Sequence, residues 1–209
     1  WHGRVKRLIG RLFAKHSVQY EASLQLGELV RRRTDVLVHY TDGLRFAVEC
    51  QESAMSVGEW LSRMMDYTIL KTPVLWIWSL DRITLGRWRF IVDYMDWFHN
   101  ADKSKCKIAI PEEIAWIHQN FYERLDGMWV ADDLGTLARC MIDVDSDKRS
   151  GIVVILPVAS IGEPIVRYAD MNGFLAEKFP LVDFEPINFD WEMLNEFPIY
   201  KLSKANERS

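Results

Sequence analysis

Asp35 and Glu49, with the amide of Gln51, stand in two segments that read as facing strands of one hairpin. Residues 33–40 and 44–51 flank Thr41-Asp42-Gly43, a turn signal of the hairpin type. With a three-residue turn, Tyr40 pairs with Leu44 and Asp35 falls opposite Glu49. One face is then Val36, Val38, Tyr40, Leu44, Phe46, Val48 and Cys50, and the other holds Asp35, Leu37, His39, Arg45, Ala47, Glu49 and Gln51. A two-residue turn would mix apolar and polar residues on both faces, so the hydrophobic pattern selects the first register. Opposite residues have Cβ atoms about 4.5–5.5 Å apart, and two ionised carboxylates at that distance repel. A hard divalent cation such as Mg²⁺ relieves the repulsion, as does a neighbouring arginine or a retained proton. A metal centre and a surface hairpin neutralised by Arg45 fit this pattern equally well.

The elements that must hold such a hairpin are legible around it. Val5, Leu8, Ile9, Leu12 and Phe13 recur at helical spacing over residues 2–16. Residues 17–24 alternate as a short strand. Residues 56–71 predict a helix with Val57, Trp60, Leu61, Met64 and Met65 inward, stopped by Pro73. Residues 74–80 (VLWIWSL) form a continuous apolar run, the pattern of a buried strand. The order is α-β-β-β-α-β, followed by an expected helix at 87–99. Further along, a helix is expected at 111–125, a hairpin over 127–142 and a strand at 151–158. A mixed or helical stretch at 165–179 and a Pro- and aromatic-rich segment at 184–200 follow. The expected division is a core over 1–100 and a less regular α+β extension over 101–209.

The chain has 209 residues, 49% hydrophobic and 27% charged, with a net charge of −4. This excludes a disordered or collagen-like chain, and no apolar run reaches the ~20 residues of a membrane span. Three cysteines without close spacing argue against a disulfide framework or a CxxC zinc site, and a reducing, cytoplasmic setting is expected. The first residue is Trp1, so a preceding segment is expected. The acidic total hides an asymmetry. Residues 1–33 hold eight Lys/Arg against two Glu, a net of +6, and the remainder carries −10. A basic face there suits a phosphate backbone, and equally describes an ordinary solvated helix face.

Five segments in consistent order now coincide. They are His2 and Lys6 in WHGRVK, Arg32-Arg33-Thr34-Asp35-Val36, Ala47-Val48-Glu49-Cys50-Gln51-Glu52-Ser53, Arg63 with Tyr67, and Val74-Leu75-Trp76-Ile77. Together they resemble the nuclease domain of the competence protein CoiA-like family, within the PD-(D/E)XK nuclease superfamily. The resemblance covers roughly residues 1–80 and fades beyond residue 100. It implies an α/β fold, a three-layer αβα core with the active site at the hairpin. It implies a DNA nuclease using Mg²⁺ or Mn²⁺, in DNA uptake, recombination or defence, with Asp35 and Glu49 as metal ligands. Gln51 stands where the superfamily usually carries Lys, and an amide can still orient a water. The first helix lacks the acidic residue common in the superfamily, and Glu21 on the next strand is the candidate substitute.

Around this set, His2 and Lys6 lie i, i+4 on one helix face, as do Arg63 and Tyr67 on another. Lys6, Arg33 and Arg63 are candidates to contact DNA phosphates. Arg63 packed over the Tyr67 ring is the structural alternative. Ser53 is expected to cap the following helix or to touch a water at the site. Among the tryptophans, Trp88 between Arg87 and Arg89 is the candidate for base stacking, and the others suit packing. The rival functions are a catalytically inactive DNA-binding module on the same fold and a protein-interaction module that recruits a recombination protein. The sequence sets no oligomeric state.

Overall fold

The computed structural model describes residues 1–28, 30–39, 45–87, 90–99, 102–122, 127–133 and 137–156. The hairpin turn at 41–43, Trp88 and the segments at 165–179 and 184–200 lie outside these residues. The chain begins with helix α1 (His2–Leu12), followed by strands β1 (Ser17–Leu26), β2 (Val30–His39) and β3 (Arg45–Gln51). Helix α2 (Val57–Ile69) and strand β4 (Val74–Ser79) complete the expected α-β-β-β-α-β order. Short elements follow: α3 (Leu80–Thr84), β5 (Val92–Asp93), α4 (Tyr94–His99), β6 (Ile108–Ala109) and α5 (Glu112–Ile117). The described part closes with β7 (Met128–Ala131), β8 (Leu137–Val144) and β9 (Ser150–Ile155).

The nine strands among the described residues join one mixed sheet in the order β1-β2-β3-β4-β7-β8-β9-β5, with β6 also pairing β9. β3, β4 and β7 run parallel in register, and the outer neighbours are antiparallel apart from β5 on β9. Strands from beyond residue 100 therefore widen the sheet begun by the first half. Of the helix expected over 87–99, the second half forms as α4, whereas Val92 and Asp93 before it pair with Val154 and Ile155. That partnership spans some sixty positions and carries no local signal.

The two helices that flank the hairpin lie on opposite faces. Val5, Leu8 and Ile9 of α1, with Phe13 just after it, pack with Val36, Val38, Phe46, Val48 and Cys50. Trp60, Met64 and Tyr67 of α2 pack with Leu37, Ala47, Trp76 and Trp78 on the other side. Burying these large aromatics is the main drive for the layering, since a buried side chain of this size contributes about 1.5–3 kcal/mol. Helix α2 starts at a serine N-cap, in which Ser56 Oγ accepts from the Glu59 amide at 3.1 Å. Ser56, not Ser53, is thus the cap, because the helix begins only at Val57, four residues beyond Ser53.

Candidate active site

The β2–β3 register is Val36↔Val48, Leu37↔Ala47, Val38↔Phe46 and His39↔Arg45. Continuing it places Asp35 level with Glu49, as the hydrophobic pattern predicts. The same line extends to β1. Tyr20 pairs with Val36 and Ala22 with Thr34, and the rung between, Glu21 with Asp35, is unpaired. Three carboxylates therefore stand on one rung across three strands.

At that rung both β1 and β2 change face. On β1, Val18 and Tyr20 lie on the α1 side, whereas Ala22 and Leu24 belong to the α2-side core. On β2, Arg32 pairs with Asp66 of α2 at 2.5 Å and Thr34 hydrogen-bonds to Tyr67 of α2, whereas Val36 and Val38 lie against α1. A regular strand keeps residues i, i+2 and i+4 on one face, so each strand slips by one position here. On β1 the backbone device is Glu21, whose φ of 52° lies in the left-handed region, a conformation costing a non-glycine residue about 1–2 kcal/mol.

The slip corrects the expected face assignment. Asp35 and Glu49 share a rung, but their carboxylates are held by partners on opposite sides of the sheet, near enough for the charge of Asp35 to raise the Glu49 pKa. Asp35 faces α1. Its Oδ2 lies 3.0 Å from His2 Nε2 and accepts from the Cys50 amide at 2.8 Å, and its Oδ1 lies 3.1 Å from Lys6 Nζ. Glu49 faces α2. Its Oε1 accepts from the Tyr67 hydroxyl, and its Oε2 lies 3.8 Å from Arg63. Lys6 also grips Glu21, and Arg33 Nε lies 3.0 Å from the other Glu21 oxygen. Arg63 is divided between Glu49 and Glu59, the latter at 2.7 Å. Gln51 is buried, and its Nε2 donates to the Ser53 carbonyl at 2.8 Å, with Ser53 Oγ at 3.2 Å.

The two environments drive the two acids apart. Burial pushes the Asp35 pKa up, but the Cys50 amide, His2 and Lys6 outweigh it and hold it below the ordinary value. Burial lifts Glu49 to about 7, with the negative charge of Asp35 adding to the rise and Tyr67 and Arg63 opposing it. Glu49 thus lies in an interior short of positive charge, with its side chain only 6% exposed. Such a carboxylate favours either a proton or a cation. Oxygen donors from Asp35 and Glu49 are the donor set that Mg²⁺ or Mn²⁺ prefers, so these residues fit a hard divalent ion.

The acids singled out from the sequence and their candidate partners fall into two groups, and Trp88 lies outside the described residues. His2, Lys6, Glu21, Arg33 and Asp35 form one connected group, and Glu49, Arg63 and Tyr67 form a second beside it. Gln51 and Ser53 bond to each other at the end of β3. Trp60, Trp76, Trp78 and Trp129 are core residues, whereas Trp116 is 36% exposed. Sequence reasoning missed His118. It is buried at 2% exposure, and its Nε2 accepts from the Ile142 amide at 3.1 Å.

Helices on both faces of a mixed sheet, with acidic residues gathered on one rung of its antiparallel hairpin, define a nuclease-like α/β domain. The family described as competence protein CoiA, nuclease-like domain, matches residues 1–112, more than half of the chain, and the chain belongs to that family. No curated protein and no solved structure matches it. Among the described residues no helix is long and apolar enough to cross a membrane.

Proposed function

We propose that this protein is a divalent-metal-dependent deoxyribonuclease that hydrolyses phosphodiester bonds during DNA uptake, recombination or defence. The observation that carries the reading is the rung on which Asp35 and Glu49 stand level. There, one carboxylate is held ionised and the other is short of positive charge. Asp35 and Glu49 would hold Mg²⁺ or Mn²⁺. When bound, such an ion lowers the pKa of a water and offsets charge on the scissile phosphate.

The remaining roles fall to the chain's own groups. Lys6 brings to the Asp35 carboxylate the positive charge that Gln51 lacks. The Gln51 nitrogen is held by Ser53, which leaves its carbonyl oxygen to orient the attacking water. Tyr67 and Arg63 fix the Glu49 carboxylate, and Glu21 fixes Lys6. Arg33, exposed beside Glu21, is suited to a DNA phosphate together with the rest of the basic 1–33 segment. Residues 1–100 carry the site, and the described strands beyond residue 100 widen the sheet. The free cysteines Cys50, Cys106 and Cys140 suit a reducing, cytoplasmic setting.

The test is cleavage of single-stranded, duplex and branched DNA in Mg²⁺, Mn²⁺ or EDTA, with Asp35→Ala and Glu49→Ala alongside. Metal-dependent cleavage lost in both variants is the expected result. Cleavage that persists in EDTA, or in both variants, overturns the assignment. Salt-dependent DNA binding without cleavage would make the protein an inactive DNA-binding module. No such binding would favour the protein-interaction reading, with a recombination protein as partner.

A further inference from the structure

The slip at the Glu21–Asp35 rung has a consequence on the α1 side of the sheet. Cys50 follows Glu49 on β3 and so faces the opposite way, toward α1. Asp35 has turned to that same side, and His2 opens the first turn of α1 above it. Among the described residues, His2, Asp35 and Cys50 form a trio whose ligand atoms all lie within 4.8 Å of one another. The three donors are an imidazole nitrogen, a carboxylate oxygen and a sulfur. This set differs in kind from the two carboxylates of Asp35 and Glu49. Sulfur and imidazole select Zn²⁺ and its neighbours in the first transition row, whereas Mg²⁺ takes oxygen.

The surroundings suit the trio. Lys6 Nζ is on Asp35 Oδ1, so the oxygen that faces His2 is Oδ2. The His2 side chain is 42% exposed and the Asp35 side chain 14%, which leaves a route from solvent on the His2 side. Cys50 is 6% exposed and closes the inner end.

We propose that His2, Asp35 and Cys50 form a binding site for a thiophilic transition-metal cation, with Zn²⁺ as the fitting ion. A fourth position would go to water, as in Zn²⁺ sites with three protein ligands. Because Asp35 belongs to both donor sets, an ion on the trio withdraws it from Glu49. Zn²⁺ is then an inhibitor of the Mg²⁺-supported reaction. This inhibitory role rests on the nuclease reading, whereas the site itself does not.

Cobalt(II) is the probe, added to the full chain in place of Zn²⁺. One equivalent is expected to give a near-ultraviolet thiolate-to-cobalt charge-transfer band, removed by Zn²⁺ and unaffected by Mg²⁺. The band is expected to vanish in Cys50→Ser and to survive in Cys106→Ser and Glu49→Ala. His2→Ala, at an exposed position that adds little to the core, is expected to weaken Co²⁺ binding about tenfold or more. No band in the unaltered protein, or a band that survives in Cys50→Ser, overturns the site. For the inhibitory role the readout is the ratio of Mg²⁺-supported cleavage with and without Zn²⁺. That ratio is expected to rise toward one in Cys50→Ser, and an unchanged ratio overturns inhibition through this site. A protein that shows the band but cleaves no DNA keeps the metal site and refutes the nuclease reading.

Discussion

The hydroxyl of Tyr67, on α2, donates its hydrogen bond to Glu49 Oε1 on β3, inside the sheet–helix layer. This is the contact that most opposes the rise of the Glu49 pKa. Tyr67→Phe should therefore push Glu49 above about 7. Two effects follow. The half-activating Mg²⁺ concentration should rise about 10- to 100-fold, the usual cost of removing a partner that orients a metal ligand. The acid limb of the cleavage profile should also move to higher pH. Mg²⁺ titrations of the initial rate across the neutral range check both, and an unmoved limb would separate Tyr67 from the site.

Two buried groups give the metal-free fold opposing pH dependences. Glu49 has a folded pKa of about 7 against an ordinary 4.5, so the folded chain keeps a proton that the unfolded chain releases. Its contribution is full below 4.5 and is lost as pH rises toward 7. His118, held neutral by burial, has a pKa of about 4 against 6.5, so only the unfolded chain takes up the proton. Its contribution is full above 6.5 and is lost as pH falls toward 4. Each amounts to about 3 kcal/mol. In EDTA, Glu49→Gln should melt at higher temperature as pH rises through the shared window, and His118→Gln at lower temperature. Circular dichroism melts decide it, and one common slope in both variants would count against these environments.

Lys6 ties α1 to the rung through Asp35 and Glu21. Lys6→Ala should lower single-turnover cleavage at saturating Mg²⁺ by about 10²–10³-fold, the usual cost of deleting a preorganised charge. It should also reduce the salt slope of DNA affinity by about one. Lys6→Arg should restore part of both. An unchanged rate in Lys6→Ala would remove this lysine from the chemistry.

Ser56 caps α2, the helix that carries Arg63 and Tyr67. Ser56→Ala should cost about 1 kcal/mol of stability and lower the melting temperature by about 2–4 °C. Cleavage per folded molecule should be unaffected, because the cap touches no group of the site. Thermal melts paired with rate measurements separate the two readouts.

Much of this architecture is legible in the sequence, and what is not has identifiable causes. The β2–β3 register follows from hydrophobic alternation, because a slip of one would expose Val36, Val38, Phe46 and Val48 together. The i, i+4 pairs His2–Lys6 and Arg63–Tyr67 point at the acids they reach. The change of face at Glu21 is invisible, because a left-handed glutamate carries no compositional mark of the kind a glycine would. Asp35 was therefore expected on the same face as Glu49. The cap was misplaced by three residues because Ser53 and Ser56 both satisfy the same local rule. Strand β5 and the buried role of His118 depend on β9 and β8 respectively, partners too distant in the chain for a short window to register.

Among the described residues β1 ends one side of the sheet, ten residues long, with a single charged side chain, Glu21, along its length. Such a border invites a foreign strand to add itself, the usual route to uncontrolled polymerisation. Glu21 sits at its middle with a left-handed backbone. An arriving strand would find its ladder broken after a few residues and would meet a carboxylate already engaged by Lys6 and Arg33. The left-handed residue opposite Asp35 thus also guards this border against a foreign strand.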